Sequence, residues 1–133
     1  MKRKIKYIVV HCADTDPRKP YPFEACRKDH IEHNKWDDIG YHYYITTDGT
    51  LHLGRDLETP GAHVAGFNKC SIGVCYEGGK MGDTRTKAQK QTLVNVLRYL
   101  KSLCPEAEIV GHHDLNPNKS CPNFDARTEY KNL

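Results

Sequence analysis

The chain has 133 residues, 38% hydrophobic and 28% charged, a composition typical of a globular protein large enough to bury a core. Its formal net charge of +3 is mild, and its basic residues are interspersed with acidic ones. This pattern argues against nucleic-acid binding and suits an anionic partner such as a cell-wall polymer. No apolar run approaches the ~20 residues that a membrane-spanning helix needs.

The N-terminus does not match a secretory signal. Basic residues precede an apolar stretch of three residues, Ile8 to Val10, which ends at His11 and Cys12. A signal peptide needs an apolar stretch of ~7–15 residues, so we expect a protein made and kept in the cytoplasm unless other proteins release it. In that compartment we expect the six cysteines to be free thiols, with Cys121 as a functional exception.

The first half of the chain alternates between strand and helix patterns. Residues 4–10 are rich in Ile, Val and Tyr and predict a strand, and residues 23–35 predict a helix after a proline-rich loop. Residues 41–47 and 50–55 predict two strands of a hairpin that turns at Asp48-Gly49.

The second half contains the clearest helix. Residues 71–76 predict a strand, and residues 87–103 carry an apolar stripe with a period near 3.6, preceded by Thr86 and Gln89 as a capping box. Ile109 and Val110 predict a last short strand. The interleaved pattern predicts an α/β fold in a single domain, residues 1–133, with a central mixed β-sheet flanked by helices.

Three candidate metal ligands lie at or beyond the ends of predicted strands. His11 follows the first strand, His112 follows the last, and Cys121 lies in the loop beyond. Imidazole and thiolate ligands suit Zn²⁺, and a set of three leaves one position open, as in catalytic zinc sites. No paired C-x₂-C motif indicates a closed structural site. The spacing alone leaves a metal site, a nucleophile with its base, and a polar loop as alternatives.

Four ordered blocks carry a resemblance to a known family. They are "VVHC" at 9–12, "DIGYHYYITTDGTLHLGR" at 38–55, "GAHVAGFNKCSIGVCYEGG" at 61–79 and "GHHDLNPNKSCP" at 111–122. The chain resembles the zinc-dependent N-acetylmuramoyl-L-alanine amidases, and among them the bacteriophage-lysozyme type of the type 2 amidase and peptidoglycan-recognition superfamily. It is also similar to short prophage endolysins of gut Bacteroidales, which carry comparable "CRK" and "DTRT" stretches.

The resemblance implies a role for seven residues. It makes His11, His112 and Cys121 the ligands of Zn²⁺. It also implies that Tyr41 forms a hydrogen bond near the metal-bound water or the substrate oxygen, and that Lys119 stabilises the oxyanion. Two further residues are implied to lie in the cleft and contact substrate, His63 and, as a weaker candidate, Asn68. His113 stands where the family commonly has arginine, and the alignment of "GH" favours His112 as the ligand.

The chemistry of amide hydrolysis agrees with this set. A bound Zn²⁺ lowers the pKa of its water to about 7, and a fixed ammonium such as Lys119 favours the negatively charged transition state. No carboxylate within the four blocks is an obvious general base. The implied reaction is hydrolysis of the amide bond between N-acetylmuramic acid and L-alanine in peptidoglycan, as in endolysin-driven lysis.

Two alternatives stay open at this point. The missing signal peptide favours a cytosolic amidase that recycles anhydro-muropeptides, although that branch typically uses aspartate where this chain has Cys121. A non-catalytic peptidoglycan-binding module is the other alternative, although such members usually lack the ligand cysteine. In each case we expect a monomer that binds peptidoglycan or muropeptides, with neither a nucleic-acid partner nor a membrane span.

Overall fold

A computed structural model describes residues 1–133 as an alternation of strands and helices. A short 3₁₀ turn, Asn68–Cys70, precedes the fourth strand. The elements in chain order are β1 (Tyr7–Cys12), α1 (Phe23–Glu32), β2 (Tyr43–Ile45), β3 (Leu51–Leu53), β4 (Ser71–Tyr76), α2 (Lys87–Leu103), β5 (Glu108–Gly111), α3 (His112–Leu115) and α4 (Ala126–Glu129).

The five strands form one mixed sheet in the order β3-β2-β4-β1-β5. β1 pairs in parallel with both β4 and β5, and β2 pairs in parallel with β4. The edge strand β3 runs antiparallel to β2 through the expected hairpin. The predicted α/β fold with a central mixed sheet is therefore confirmed, and no helix is both long and apolar enough to cross a membrane.

The two faces of the sheet have different partners because successive side chains of a strand point to opposite faces. One face packs against α2 and α4 and forms the main core, which includes Ile8, Val10, Ile72, Val74, Leu93, Leu97 and Leu100. The residues in between, such as Val9 and His11 on β1, point to the opposite face. That second face carries the candidate site.

Helix α2 begins and ends where the sequence predicts. The Thr86 hydroxyl accepts a hydrogen bond from the N–H of Gln89, and the Gln89 side chain accepts one from the N–H of Thr86. Four apolar residues of its inward stripe are buried, Leu93, Val96, Leu97 and Leu100. Burial of each such side chain contributes about 1.5–3 kcal/mol of hydrophobic stabilisation, which fixes the helix on the sheet.

Several predicted boundaries differ from the structure. β1 runs to Cys12, so His11 lies inside the strand, paired in register with Cys75 of β4, rather than after it. α1 ends at Glu32, and β2 and β3 are each three residues long. The sequence analysis did not predict α3 or α4, since four residues are too few to show a helical period.

Candidate metal centre

Three side chains from separate parts of the chain converge at one end of β1. The ligand atoms of His11, His112 and Cys121 all lie within 4.8 Å of one another. Parallel pairing explains the approach of the two histidines, because Val10 and Gly111 are register partners and each histidine is the next residue. Their ring centroids are 4.6 Å apart.

Hydrogen bonds tie the loop that carries Cys121 to the sheet. The N–H of Cys12 donates to the Cys121 Sγ at 3.0 Å, and the N–H of His113 donates to the Cys121 carbonyl oxygen at 2.9 Å. The hydroxyl of Tyr76 donates to the carbonyl oxygen of Pro122 at 2.6 Å. These contacts hold the sulfur beside β1, while His113 itself lies outside the cluster of ligand atoms.

The surroundings of the two histidines favour neutral imidazole. Burial, followed by the proximity of His63 and His112, keeps the pKa of His11 well below its ordinary value. Burial and then the positive charge of Lys119 lower the pKa of His112. A hydrogen bond with Cys12 and burial raise the pKa of the Cys121 thiol, so that this residue must lose a proton to bind a metal.

The donor set fits a zinc ion. Zinc–nitrogen bonds of about 2.0–2.1 Å and zinc–sulfur bonds of about 2.3 Å place tetrahedral ligand atoms roughly 3.3–3.6 Å apart. The observed limit of 4.8 Å exceeds this separation by about 1.2–1.5 Å, so the side chains would have to move closer by small rotations to bind the ion. Two nitrogens and one sulfur are also the ligand types that this borderline-soft ion prefers.

The cluster faces a cavity of about 230 Å³. Two of the predicted catalytic residues, Tyr41 and Lys119, line this cavity, as does His63. Three polar residues that the sequence analysis did not single out also line it, namely Asp14, Ser120 and Asn123. The structure therefore brings six of the seven predicted site residues to one cavity.

Tyr41 and Lys119 both lie close to the candidate ligands, Tyr41 beside His11 and Lys119 near His112. Tyr41 lies just before β2, with its ring centroid 5.1 Å from that of His11. Burial raises the pKa of Tyr41 well above its ordinary value, so the phenol keeps its proton at neutral pH. Lys119 is exposed in the loop between α3 and Cys121, close enough to His112 for its charge to lower the pKa of that histidine.

His63 is buried against the sheet and lies next to a candidate ligand. Its Nδ1 is 2.8 Å from the Nε2 of His11, and its Nε2 is 3.2 Å from the Oγ of Ser71. Asn68 does not line the cavity. Its Oδ1 accepts hydrogen bonds from the N–H groups of His63 and Val64, so the substrate-binding prediction for Asn68 gains no support from the structure.

Comparison with known proteins identifies the family. Residues 1–124 match the N-acetylmuramoyl-L-alanine amidase family. The chain belongs to this family.

Relatives of this amidase chain include phage proteins and solved structures. The endolysin of Enterobacteria phage K11 is 38% identical over 129 residues, covering 93% of this chain and 84% of that endolysin. The N-acetylmuramoyl-L-alanine amidase LysC of Clostridium intestinale superimposes with a TM-score of 0.83 at 26% identity, covering 96% and 82% of the two chains. Bumblebee PGRP-SA shares the fold, with a TM-score of 0.83 at 23% identity.

Other residues of the amidase site could be found only from the fold. Ser71 is fully buried at the start of β4, and the sequence marks it only as the small residue before an apolar strand. Gly73 lies two residues further along and faces the same side of the sheet. A Cβ built there would lie 2.8 Å from three atoms of the His63 ring, so glycine leaves the space that this ring fills.

Proposed function

We propose that this chain hydrolyses the amide bond between N-acetylmuramic acid and L-alanine in peptidoglycan, with zinc as its cofactor. The proposal depends mainly on one observation. The ligand atoms of His11, His112 and Cys121 lie within 4.8 Å of one another at a cavity, in a chain of the N-acetylmuramoyl-L-alanine amidase family.

These three residues would hold the zinc ion through two imidazole nitrogens and one thiolate. When bound, zinc lowers the pKa of a coordinated water to about 7 and polarises a carbonyl group as a Lewis acid. The buried position of His11 keeps its imidazole neutral and therefore able to donate a lone pair. The backbone N–H of Cys12 stabilises negative charge on the Cys121 sulfur by its hydrogen bond.

Lys119 and Tyr41 would act on the substrate carbonyl. The exposed ammonium of Lys119 at the cavity edge stabilises the negative charge that develops on the carbonyl oxygen in the transition state. The phenol of Tyr41, protonated at neutral pH, donates a hydrogen bond to an oxygen of the reacting group. Asp14 is the one carboxylate residue that lines the cavity, and no predicted site residue is a carboxylate.

The cavity sets where the substrate would lie. It is lined by the three ligands together with Tyr41 and Lys119, so the scissile amide of a muropeptide would bind there. We infer that residues 1–133 act as a single catalytic domain and a monomer. We also infer that the chain, made in the cytoplasm, meets the cell wall after release by other proteins, as an endolysin does.

Digestion of purified peptidoglycan followed by mass spectrometry tests the proposal. Zinc-loaded protein should release free stem peptides that begin with L-alanine, while chelated protein and Cys121→Ser should release none. Cys70→Ser is the matched control, because Cys70 is also partly exposed but lies outside the cavity. If the protein left the wall intact but cleaved soluble anhydro-muropeptides, its function would be muropeptide recycling rather than wall lysis. Binding without any cleavage would indicate a recognition module.

A further inference from the structure

A line of three buried side chains leads from a candidate zinc ligand into the sheet. The Nε2 of His11 lies 2.8 Å from the Nδ1 of His63, and the Nε2 of His63 lies 3.2 Å from the Oγ of Ser71. His11 and Ser71 are 2% and 0% exposed. We call this line the His11–His63–Ser71 chain. His63 is 9% exposed where it lines the cavity, so all three side chains are largely buried, and the hydrogen bonds within this line are the ones that set the positions of its protons.

Metal binding selects one arrangement of these protons. A neutral imidazole has one N–H and one lone pair, and a zinc ligand must present the lone pair to the metal. The Nε2 of His11 faces His63, so Nδ1 is the nitrogen left for zinc and Nε2 must carry the proton. His11 then donates to the Nδ1 of His63, whose own proton must lie on Nε2 and point to the Ser71 oxygen.

The opposite arrangement would block the site. If His63 carried its proton on Nδ1, it would donate to the Nε2 of His11 and drive the His11 proton onto Nδ1, the nitrogen that is left for zinc. The two arrangements use the same two contacts, of 2.8 and 3.2 Å, and differ only in proton position. The hydroxyl of Ser71 is the end group that accepts the His63 proton in the productive arrangement.

We propose that His63 and Ser71 are positioning residues that stabilise, by accepting hydrogen bonds in series, the His11 tautomer that carries its proton on Nε2 and binds zinc through Nδ1. The proposal depends on the proposed role of His11 as a zinc ligand. In this proposal His63 positions His11 in addition to lining the cavity. Ser71 has a role in the metal site in addition to packing within the sheet. Ligand histidines generally donate their second N–H to such a partner, and loss of that partner typically weakens metal binding about 10–100-fold.

The fold builds this chain from residues on one face of the sheet. Ser71 and Gly73 alternate with core residues along β4, and Gly73 leaves the space in which the His63 ring lies. Asn68 fixes the loop above, since its Oδ1 accepts hydrogen bonds from the N–H groups of His63 and Val64. This contact gives Asn68 a structural reason to be present.

A neighbouring buried histidine shows a contrasting arrangement. The Nδ1 of His42 accepts from the N–H of Gly73 at 3.0 Å, and its Nε2 lies 2.8 Å from the carbonyl oxygen of Thr59. These two backbone groups have fixed roles and set the His42 tautomer without any metal, and the Nη2 of Arg3 lies further away, at 3.4 Å from the same Nε2. His63 has a histidine and a hydroxyl as partners, and either can donate or accept.

Zinc affinity, measured by competition with a chromophoric chelator, tests the proposal on the full chain. We expect His63→Leu and Ser71→Ala to weaken zinc binding about 10–100-fold. His63→Asn should recover most of this loss, because its side-chain oxygen can accept from His11 where Nδ1 did. Thr92→Val is the matched control, since it removes a partly buried hydroxyl that bonds the carbonyl oxygen of Gly49 on the opposite face, and it should leave zinc affinity unchanged.

The outcomes separate this proposal from the proposed function. Absence of zinc binding by the wild type would overturn both. Zinc binding by the wild type with all variants within twofold would overturn only the positioning roles. Nitrogen-15 spectra of the zinc-loaded wild type provide a second readout, with protons expected on Nε2 of both His11 and His63. A proton on the Nδ1 of His63 would contradict the proposal even if one variant failed to fold.

Discussion

Replacing Gly73 by alanine should displace His63 and weaken zinc binding. Gly73 lies in the middle of β4, and a Cβ there would lie 2.8 Å from Cγ, Nδ1 and Cδ2 of the His63 ring. Its backbone is outside the left-handed region, so alanine introduces no backbone strain. The effect of the substitution is therefore the contact between one methyl group and one ring.

The size of the effect follows from these distances. Carbon atoms pack at about 3.5–4.0 Å, so the ring must move by roughly 1 Å. The 2.8 Å bond between His11 and His63 would then lengthen to about 3.6 Å or more, which is no longer a hydrogen bond. Crowding of this kind destabilises a protein by about 1–3 kcal/mol, partly offset by the roughly 0.5–1 kcal/mol that alanine gains over glycine within a strand.

We expect zinc affinity of Gly73→Ala to fall about 10–100-fold, measured by chelator competition alongside thermal unfolding of the metal-free protein. Ile45→Val is the control, because Ile45 is buried on the opposite face and this change destabilises by about 0.5–1.5 kcal/mol without touching His63. Equal zinc affinity in Gly73→Ala and wild type, with a comparable loss of stability in both variants, would refute the reasoning.

Three further changes test other parts of the account. Lys119→Met should lower the rate of peptidoglycan cleavage, measured by stem-peptide release, about 10²–10³-fold. Its zinc affinity, measured by chelator competition, should stay unchanged. Glu129→Gln should destabilise the fold by about 1 kcal/mol near pH 7, a small value because Glu129 is 43% exposed, although its partner Arg85 is buried. The guanidinium of Arg85 lowers the pKa of Glu129 below its ordinary value of 4.5, so this stabilisation is present above pH 4.5 and is lost as the pH falls through the lowered pKa. Urea titrations should therefore show the two proteins converging in stability as the pH falls below 4.5. Thr86→Ala should lower the free energy of unfolding by about 1 kcal/mol, because it removes the cap on the N–H of Gln89.

The sequence predicted best what depends on local pattern. The bounds of α2 follow from its apolar period and from the capping box of Thr86 and Gln89, both of which are local. The strand 71–76 was likewise predicted with its observed bounds. α3 was missed because His112 and the three residues after it carry no apolar period, and the helix exists because of its contacts with the sheet.

The site was predictable only in part. Its candidate ligands could be named from residue type and family resemblance, but the sequence does not show that β1 and β5 are neighbours, which places His11 beside His112. The contact between His63 and Ser71 depends on a loop folding over β4, and no periodicity signals it. The prediction that Asn68 contacts substrate stays a prediction, and its Oδ1 accepts hydrogen bonds from the backbone of that same loop.

Zinc K-edge X-ray absorption of the protein loaded with one equivalent of zinc tests the central claim most directly. We expect one sulfur at about 2.3 Å and nitrogen or oxygen ligands at about 2.0–2.1 Å, with the sulfur shell absent in Cys121→Ser and retained in Cys70→Ser. A zinc ion without a sulfur ligand in the wild type, or with a sulfur shell that survives Cys121→Ser, would contradict the proposed metal centre.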